Sequence, residues 1–367
     1  MRQQLTAPPQ ACPAADALLD ETARLAAIAS VSGNEGPIAD YVQEYLGGLP
    51  HLRVSRIGHT IVATRAPAAG AMRPGRAPRL LLAGHLDTVA PVDPPQPIGR
   101  QGDRVTGRGT VDMKGGVAVL LDLARNALPT ARVDGTIVLT EREELGSHRS
   151  GMRMLATSHP ELLAADAAIV LEPTGGWVEA GCQGSLRVRA VYAGQAAHTA
   201  RPWRGVNAVR RAAPGLSRCL AERVPEIVVD GFSYPQALEV VAVSAGFGGN
   251  TLPDRCEIEV NARYAPSRSA GDVLAHLRRL FADADDLQVV LNSPAALPAC
   301  GVPLLAPLLK HRQRAKLGWT DVGLLAQLGI PAVNFGPGDP ELAHGPEECV
   351  TGEQLTLVRD GIAAVLR

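Results

Sequence analysis

Four short runs of apolar residues constrain the fold of this chain more than any other feature. They are Leu80 to Ala83, Thr136 to Leu139, Ala167 to Leu171 and Pro331 to Phe335. Each is too short for a buried helix and each reaches a glycine or a charged residue within two positions, as a strand buried on both faces does. Helical patterns separate them. Val117 to Ala127 places Leu120, Leu121 and Ala124 on one face, and a final helix is expected from Gly352. Strands alternating with helices specify an α/β domain: a mixed, mostly parallel sheet with helices on both faces. Before the first run, the spacing predicts helices over 16–28, with Asp16 as a possible cap, and over 37–46, then a strand or hairpin over 52–63. Residues 1–14 read as a loose end and 67–78 as a Gly/Pro/Arg-rich surface loop.

The rhythm changes near residue 182. Ser185 to Tyr192 alternates with period two, as a half-buried antiparallel strand does. A helix over 206–220, strands over 238–244 and 256–264, a helix over 271–282 and a strand over 287–291 follow. Strand, helix, two strands, helix, strand is a compact α+β module of the ferredoxin-like kind. The domains expected are therefore 1–182 with 294–367, interrupted by an inserted 183–293. The chain's 367 residues and 46% apolar content are ample for two cores.

Charge and cysteine usage narrow the class. A formal net charge of −1 argues against nucleic acid and membrane surfaces as partners. No stretch approaches the roughly 20 apolar residues of a membrane span. The six cysteines are scattered without a Cys-x-x-Cys pair, so reduced cytoplasmic thiols are expected.

In open α/β sheets, ligands bind beyond the carboxyl ends of the strands. His85 and Asp87 follow the first run, Glu143 and Glu144 the second, Glu172 the third, and His344 the fourth through a Gly/Pro loop. Asp112 stands in the glycine-framed Gly107-Arg108-Gly109-Thr110-Val111-Asp112-Met113-Lys114-Gly115-Gly116, just before a helix. Imidazoles and carboxylates converging on one rim would repel or stay unpaired without a cation. Two His and three carboxylates suit a pair of Zn²⁺-like ions bridged by one carboxylate. Asp87 is placed to accept the other N–H of His85 and fix its tautomer. Glu143 and Glu144 are adjacent and cannot easily point the same way, so one is free to ligate while the other holds and deprotonates the attacking water.

Gly84-His85-Leu86-Asp87-Thr88-Val89, the Gly107–Gly116 frame, Glu143-Glu144 and Ala343-His344 match, in order, the motifs of the M20 family of co-catalytic zinc peptidases and deacylases. The chain resembles that family over nearly all its length after residue 15. The resemblance implies His85 and Glu172 on one zinc, Glu144 and His344 on the other, Asp112 bridging, and Glu143 as general base and acid. Co²⁺ or Mn²⁺ are possible substitutes for zinc. It implies that the inserted domain is a lid that dimerises, giving a homodimer. In that domain His198, within Gly194 to Pro202, would stabilise the tetrahedral oxyanion across the dimer. Asn250, Arg263 and the late Gly336 would touch the substrate, a guanidinium being the natural fork for a carboxylate.

Within the family, Leu171 to Thr174, Gly181 to Arg187, Gly318 to Val322 and Asn334 to Gly338 resemble the actinobacterial branch that removes succinate from N-succinyl-LL-2,6-diaminopimelate. Glu172, where many relatives carry Asp, favours it; Leu145 to Arg149 departs from the usual pattern after the Glu pair. A small N-acyl diamino acid is the expected substrate, with lysine and diaminopimelate synthesis as its setting. Deacylation of acetylornithine or another N-acyl amino acid is the alternative. An inactive metal-binding homologue should have lost the Glu143 equivalent, which is present. Arg187 and Arg189 read as solvating a strand face, and His51, His59, His148, His159, His276 and His311 as non-ligands.

Overall fold

The structure is a computed structural model that describes residues 13–66, 77–91, 96–246 and 248–367. The expected loose end and the 67–78 loop fall mostly outside those residues. The chain divides into two compact units: Met1–Glu179 with Cys300–Gln313 and Ile330–Arg367, and Ala180–Ala299 with Arg314–Gly329. The insertion predicted at 183–293 thus lies within the second unit, which also takes a later segment back from the expected C-terminal part of the first.

The first unit carries a mixed sheet in the order Leu52–Ile57, Thr60–Arg65, Asp134–Thr140, Arg79–His85, Ala167–Val170, Ala332–Asn334, Val178–Ala180 and Gln313–Ala315. The chain passes between units within the last two strands. Leu52–Ile57 and Thr60–Arg65 form an antiparallel hairpin added to one side. Asp134–Thr140, Arg79–His85, Ala167–Val170 and Ala332–Asn334 are neighbours and run parallel. Their apolar runs are fully buried, Leu80, Leu81, Leu82, Ile137, Val138, Leu139, Ile169 and Val333 among them. Each such side chain contributes roughly 1.5–3 kcal/mol relative to an exposed one. Helices Pro13–Ala27, Gly115–Asn126 and Gly352–Leu366 pack on one another, and Gly36–Gly47 packs on the hairpin. The first helix begins at Pro13, so Asp16 lies in its first turn and is not the cap.

Because these four strands are parallel, they end on one side of the sheet. His85, Glu143 with Glu144, Glu172 and His344 all follow those ends, whereas Asp112 arrives in the segment after Arg104–Thr106. Gly116 lets the following helix approach the sheet: a Cβ there would stand 2.6 Å from the carbonyl of Leu171.

The second unit is a four-stranded antiparallel sheet in the order Ala237–Ala245, Arg255–Tyr264, Gly184–Ala193, Asp286–Ser293. With helices Ala208–Ala221 and Ala270–Leu280 it has the strand, helix, strand, strand, helix, strand order. Leu186, Val188, Ala190, Tyr192, Ile258 and Val260 pack against Ala212, Cys219, Val273 and Leu277. Alternate residues, Arg189 and Glu259 among them, form ion pairs on the other face. A small hairpin, Glu226–Val229 with Phe232–Pro235, has no counterpart in the sequence reading. Neither has the three-stranded sheet of Gly99–Gln101, Arg104–Thr106 and Cys349–Thr351 in the first unit.

Candidate metal centre

His85 ends its strand with a side chain only 2% exposed. Its Nε2 lies 2.9 Å from Asp112 Oδ1 and 3.9 Å from Glu172 Oε1. Its Nδ1 lies 2.9 Å from the main-chain carbonyl of Asp87 and 3.5 Å from the Asp87 carboxylate. The nearer acceptor at Asp87 is therefore its backbone oxygen, where the sequence pointed to the side chain. On the far side of Asp112, His344 Nε2 stands 3.3 Å from Oδ2 and 2.9 Å from Glu144 Oε1. His85, Asp112 and Glu172 thus offer donor atoms within 4.8 Å of one another, and so do Asp112, Glu144 and His344. Asp112 is common to both groups.

The electrostatics are those of a place prepared for positive charge. Burial opposes a charged His85, yet bonds to Asp112 and Asp87 raise its pKa well above the ordinary value. Bonds to Asp112 and Glu144 raise His344 to about 10, against the partial burial that would lower it. Burial alone would raise Asp112, but His344 and His85 hold it well below the usual carboxylate range. Two imidazoles and three carboxylates, one carboxylate shared, form a donor set that fits two zinc-like cations. In a metal-free protein the imidazoliums carry that charge.

The Asp87 carboxylate, fully buried, accepts the N–H of Glu143 at 3.0 Å, the N–H of Glu144 at 3.1 Å and the Ser32 hydroxyl at 2.7 Å. It fixes the turn that aims the two glutamates. Glu144 joins the second donor group, whereas Glu143, half-buried, belongs to neither. The buried Glu35 does similar work one residue earlier, accepting the N–H of Arg142 at 3.1 Å. Arg142 itself has φ 57. Glu348, also fully buried, accepts the N–H groups of Val111 and Asp112, each at 3.1 Å. Sequence reasoning passed over Ser32, Glu35 and Glu348. One signal was available: Arg108, in a glycine-framed loop, needs a carboxylate partner, and Glu347-Glu348 stands just after His344.

Gly336 is buried close to Glu172: a Cβ would lie 2.2 Å from the Glu172 carbonyl. Its N–H and C=O are both engaged by the Thr174 hydroxyl, so its observed part is to close the Glu172 loop. The remaining candidates lie in the second unit. His198 is exposed, and its Nδ1 accepts the Ala200 N–H at 3.0 Å. Thr199 donates to the Asn250 carbonyl at 2.9 Å, so these two segments are neighbours. Arg263 is half-buried with no carboxylate partner among the described residues, and burial lowers its pKa. A groove of about 1090 Å³ in the first unit, lined by Ala15, Leu19, Pro307, His311 and Leu357, contains none of the candidate residues.

Residues 81–301 match the family model described as peptidase family M20/M25/M40. The chain belongs to the M20 family. Among M20 relatives, it is 37% identical over 358 residues to the succinyl-diaminopimelate desuccinylase of Corynebacterium glutamicum, covering 94% of both chains. A tripeptidase from Staphylococcus aureus shares the fold with a TM-score of 0.79 at 21% identity, covering 96% of this chain and 97% of that one. So does the Bacillus subtilis YXEP protein, a dinuclear metal-binding M20 peptidase, with a TM-score of 0.67 at 15% identity and coverage of 96% and 97%. The chain is accordingly a metal-dependent hydrolase of the M20 type.

Proposed function

We propose that the chain hydrolyses N-succinyl-LL-2,6-diaminopimelate, adding water across the amide to release succinate and LL-2,6-diaminopimelate. The observation that carries this reading is the 37% identity, over 94% of both chains, to a desuccinylase. The two donor groups sharing Asp112 support it independently. In this reading His85 and Glu172 hold one zinc ion, Glu144 and His344 the other, and Asp112 both. Bound there, the ions supply a polarised amide carbonyl and a water acidified toward a pKa of about 7.

The residues do the rest. Asp87 holds Glu143 and Glu144 by their main-chain N–H groups, so that Glu144 ligates and Glu143 is left to take a proton. Glu143 accepts the proton of the attacking water and returns it to the amine that leaves. On this reading His198 reaches across the proposed dimer to donate to the oxyanion of the tetrahedral state, and Arg263 and Asn250 hold the substrate's carboxylate and main-chain groups.

The unit Ala180–Ala299 with Arg314–Gly329 serves, on this reading, as the lid through which two copies associate. Its edge strand Ala237–Ala245 supports that role. It is nine residues long, carries one charge, and leaves Val241 and Val243 51% and 54% exposed. Such an edge is a template for pairing with another chain. The described residues include no helix long and apolar enough to cross a membrane; the proposed setting is the cytoplasm, where the biosynthetic substrate is made and used.

A substrate panel on zinc-loaded protein tests the assignment. The highest kcat/KM should fall on succinyl-diaminopimelate. Preference for acetylornithine would overturn the substrate and leave the hydrolytic site standing.

A further inference from the structure

The loop that carries Asp112 and the loop that carries His344 are joined by a closed circuit of hydrogen bonds through two side chains that ligate nothing. Glu348 accepts the N–H groups of Val111 and Asp112 on Oε1, each at 3.1 Å. Its Oε2 accepts Arg108 Nη1 at 2.9 Å, with 1% of the Glu348 side chain and 13% of the Arg108 side chain exposed. Arg108 Nη2 then donates to the main-chain carbonyl of His344 at 3.0 Å. Backbone closes the loop again, with Gly107 N–H donating to the Glu348 carbonyl at 3.0 Å.

Both ends of this circuit are backbone that regular structure does not hold. Asp112 departs from helical geometry, with φ −120 and ψ 97, immediately before the helix that opens at Gly115. Its N–H has no helical acceptor and would be an orphan. His344 has φ 64, a left-handed conformation unfavourable for a residue with a side chain. Glu348 and Arg108 pin one end each. Three accepted hydrogen bonds compensate the buried carboxylate, and its oxygens belong to neither donor group.

We propose that Glu348 and Arg108 are positioning residues that hold Asp112 and His344 in register, and so set the affinity of the Asp112–Glu144–His344 group for its metal ion. The inference rests on the metal reading above and not on the identity of the substrate. Asp112 belongs to both groups, so Glu348 should bear on both ions, whereas the Arg108 bond reaches only His344 and should bear mainly on the second.

Titration of metal-free protein with zinc, against a competing chelator, tests this without turnover. Glu348→Gln keeps an acceptor for the two amides but gives up the ion pair. Arg108→Gln removes the bond to the His344 carbonyl. In the Arg108 variant the ion at Asp112, Glu144 and His344 should lose tenfold or more in affinity while the other stays within about threefold. In the Glu348 variant both should weaken, because Asp112 is shared, and in each the metal-free thermal midpoint should fall as a buried charge loses its partner. Glu348→Asp, which keeps the charge, should recover part of the lost affinity. Wild-type binding of both ions in both Gln variants would overturn the proposal. So would equal weakening of both ions in the Arg108 variant, which is the signature of a general structural ion pair. Wild-type protein that takes up no zinc would overturn the metal reading along with it.

Discussion

At the scale of residues, Glu143 and the histidines carry the sharpest consequences. Glu143→Gln should bind two zinc ions and lose 10²-fold to 10⁴-fold or more in kcat, the range of a general base; zinc analysis beside kcat measures both. His344 is raised from 6.5 to about 10 and His85 well above 6.5. Both shifts favour the protonated imidazole in metal-free protein, so a metal ion competes with protons at these two residues. Zinc uptake should release protons, seen as a buffer-dependent enthalpy in calorimetry, and affinity should rise with pH. The same shifts bear on metal-free stability. A raised value stabilises fully below the unfolded value near 6.5, and the His344 contribution fades as pH climbs through about 10. A metal-free protein that gained stability over that range would contradict the assignment. The residues legible in the sequence are those standing where a strand stops, because the strand announces them. Glu348, Glu35 and Ser32 were not picked out: Glu348 and Glu35 accept main-chain N–H groups far away in the sequence, Ser32 donates to the distant Asp87 carboxylate, and no local pattern records such bonds.

At the scale of elements, the site is a set of loops, each tied by a buried acceptor. Asp87→Ala would orphan the N–H groups of Glu143 and Glu144 and strand the Ser32 hydroxyl. Unmet buried donors cost about 1–3 kcal/mol each. The thermal midpoint of the metal-free variant should fall and its zinc content drop below wild type; an unchanged pair of values would refute the anchoring role. The last helix is tied in the ordinary way, with Thr351 and Gln354 forming a reciprocal capping box. Thr351→Ala should cost about 1 kcal/mol of unfolding free energy in denaturant melts and leave turnover intact. Long strands and helices were readable because hydrophobic period and length agree in them. Strands such as Gly99–Gln101, Cys349–Thr351 and Val178–Ala180 were not: three residues contain too little periodicity.

At the scale of the molecule, the two-part organisation was visible as a switch from continuous apolar runs to alternation. The return of Arg314–Gly329 to the second unit was not. That segment carries a six-residue helix, Val322–Gln327, and is held partly by Trp319 Nε1 donating to the Pro294 carbonyl at 3.0 Å. A single tertiary bond of that kind leaves no trace in composition. If two copies pair through Ala237–Ala245, then Val243→Lys should shift sedimentation toward the monomer with zinc content unchanged. A dimer of undiminished affinity would place the interface elsewhere.

The parallel strands have one more implication, and it concerns time. They bring together ligands that are made in the order His85, Asp112, Glu144, Glu172 and His344, with all of Ala180–Ala299 synthesised before the last. The candidate His85–Asp112–Glu172 group is complete in the chain once residue 172 is made, before Ala180–Ala299. Its second group waits until His344, after the whole of Ala180–Ala299. The first candidate group can therefore assemble before the second unit is made, and the second only after it.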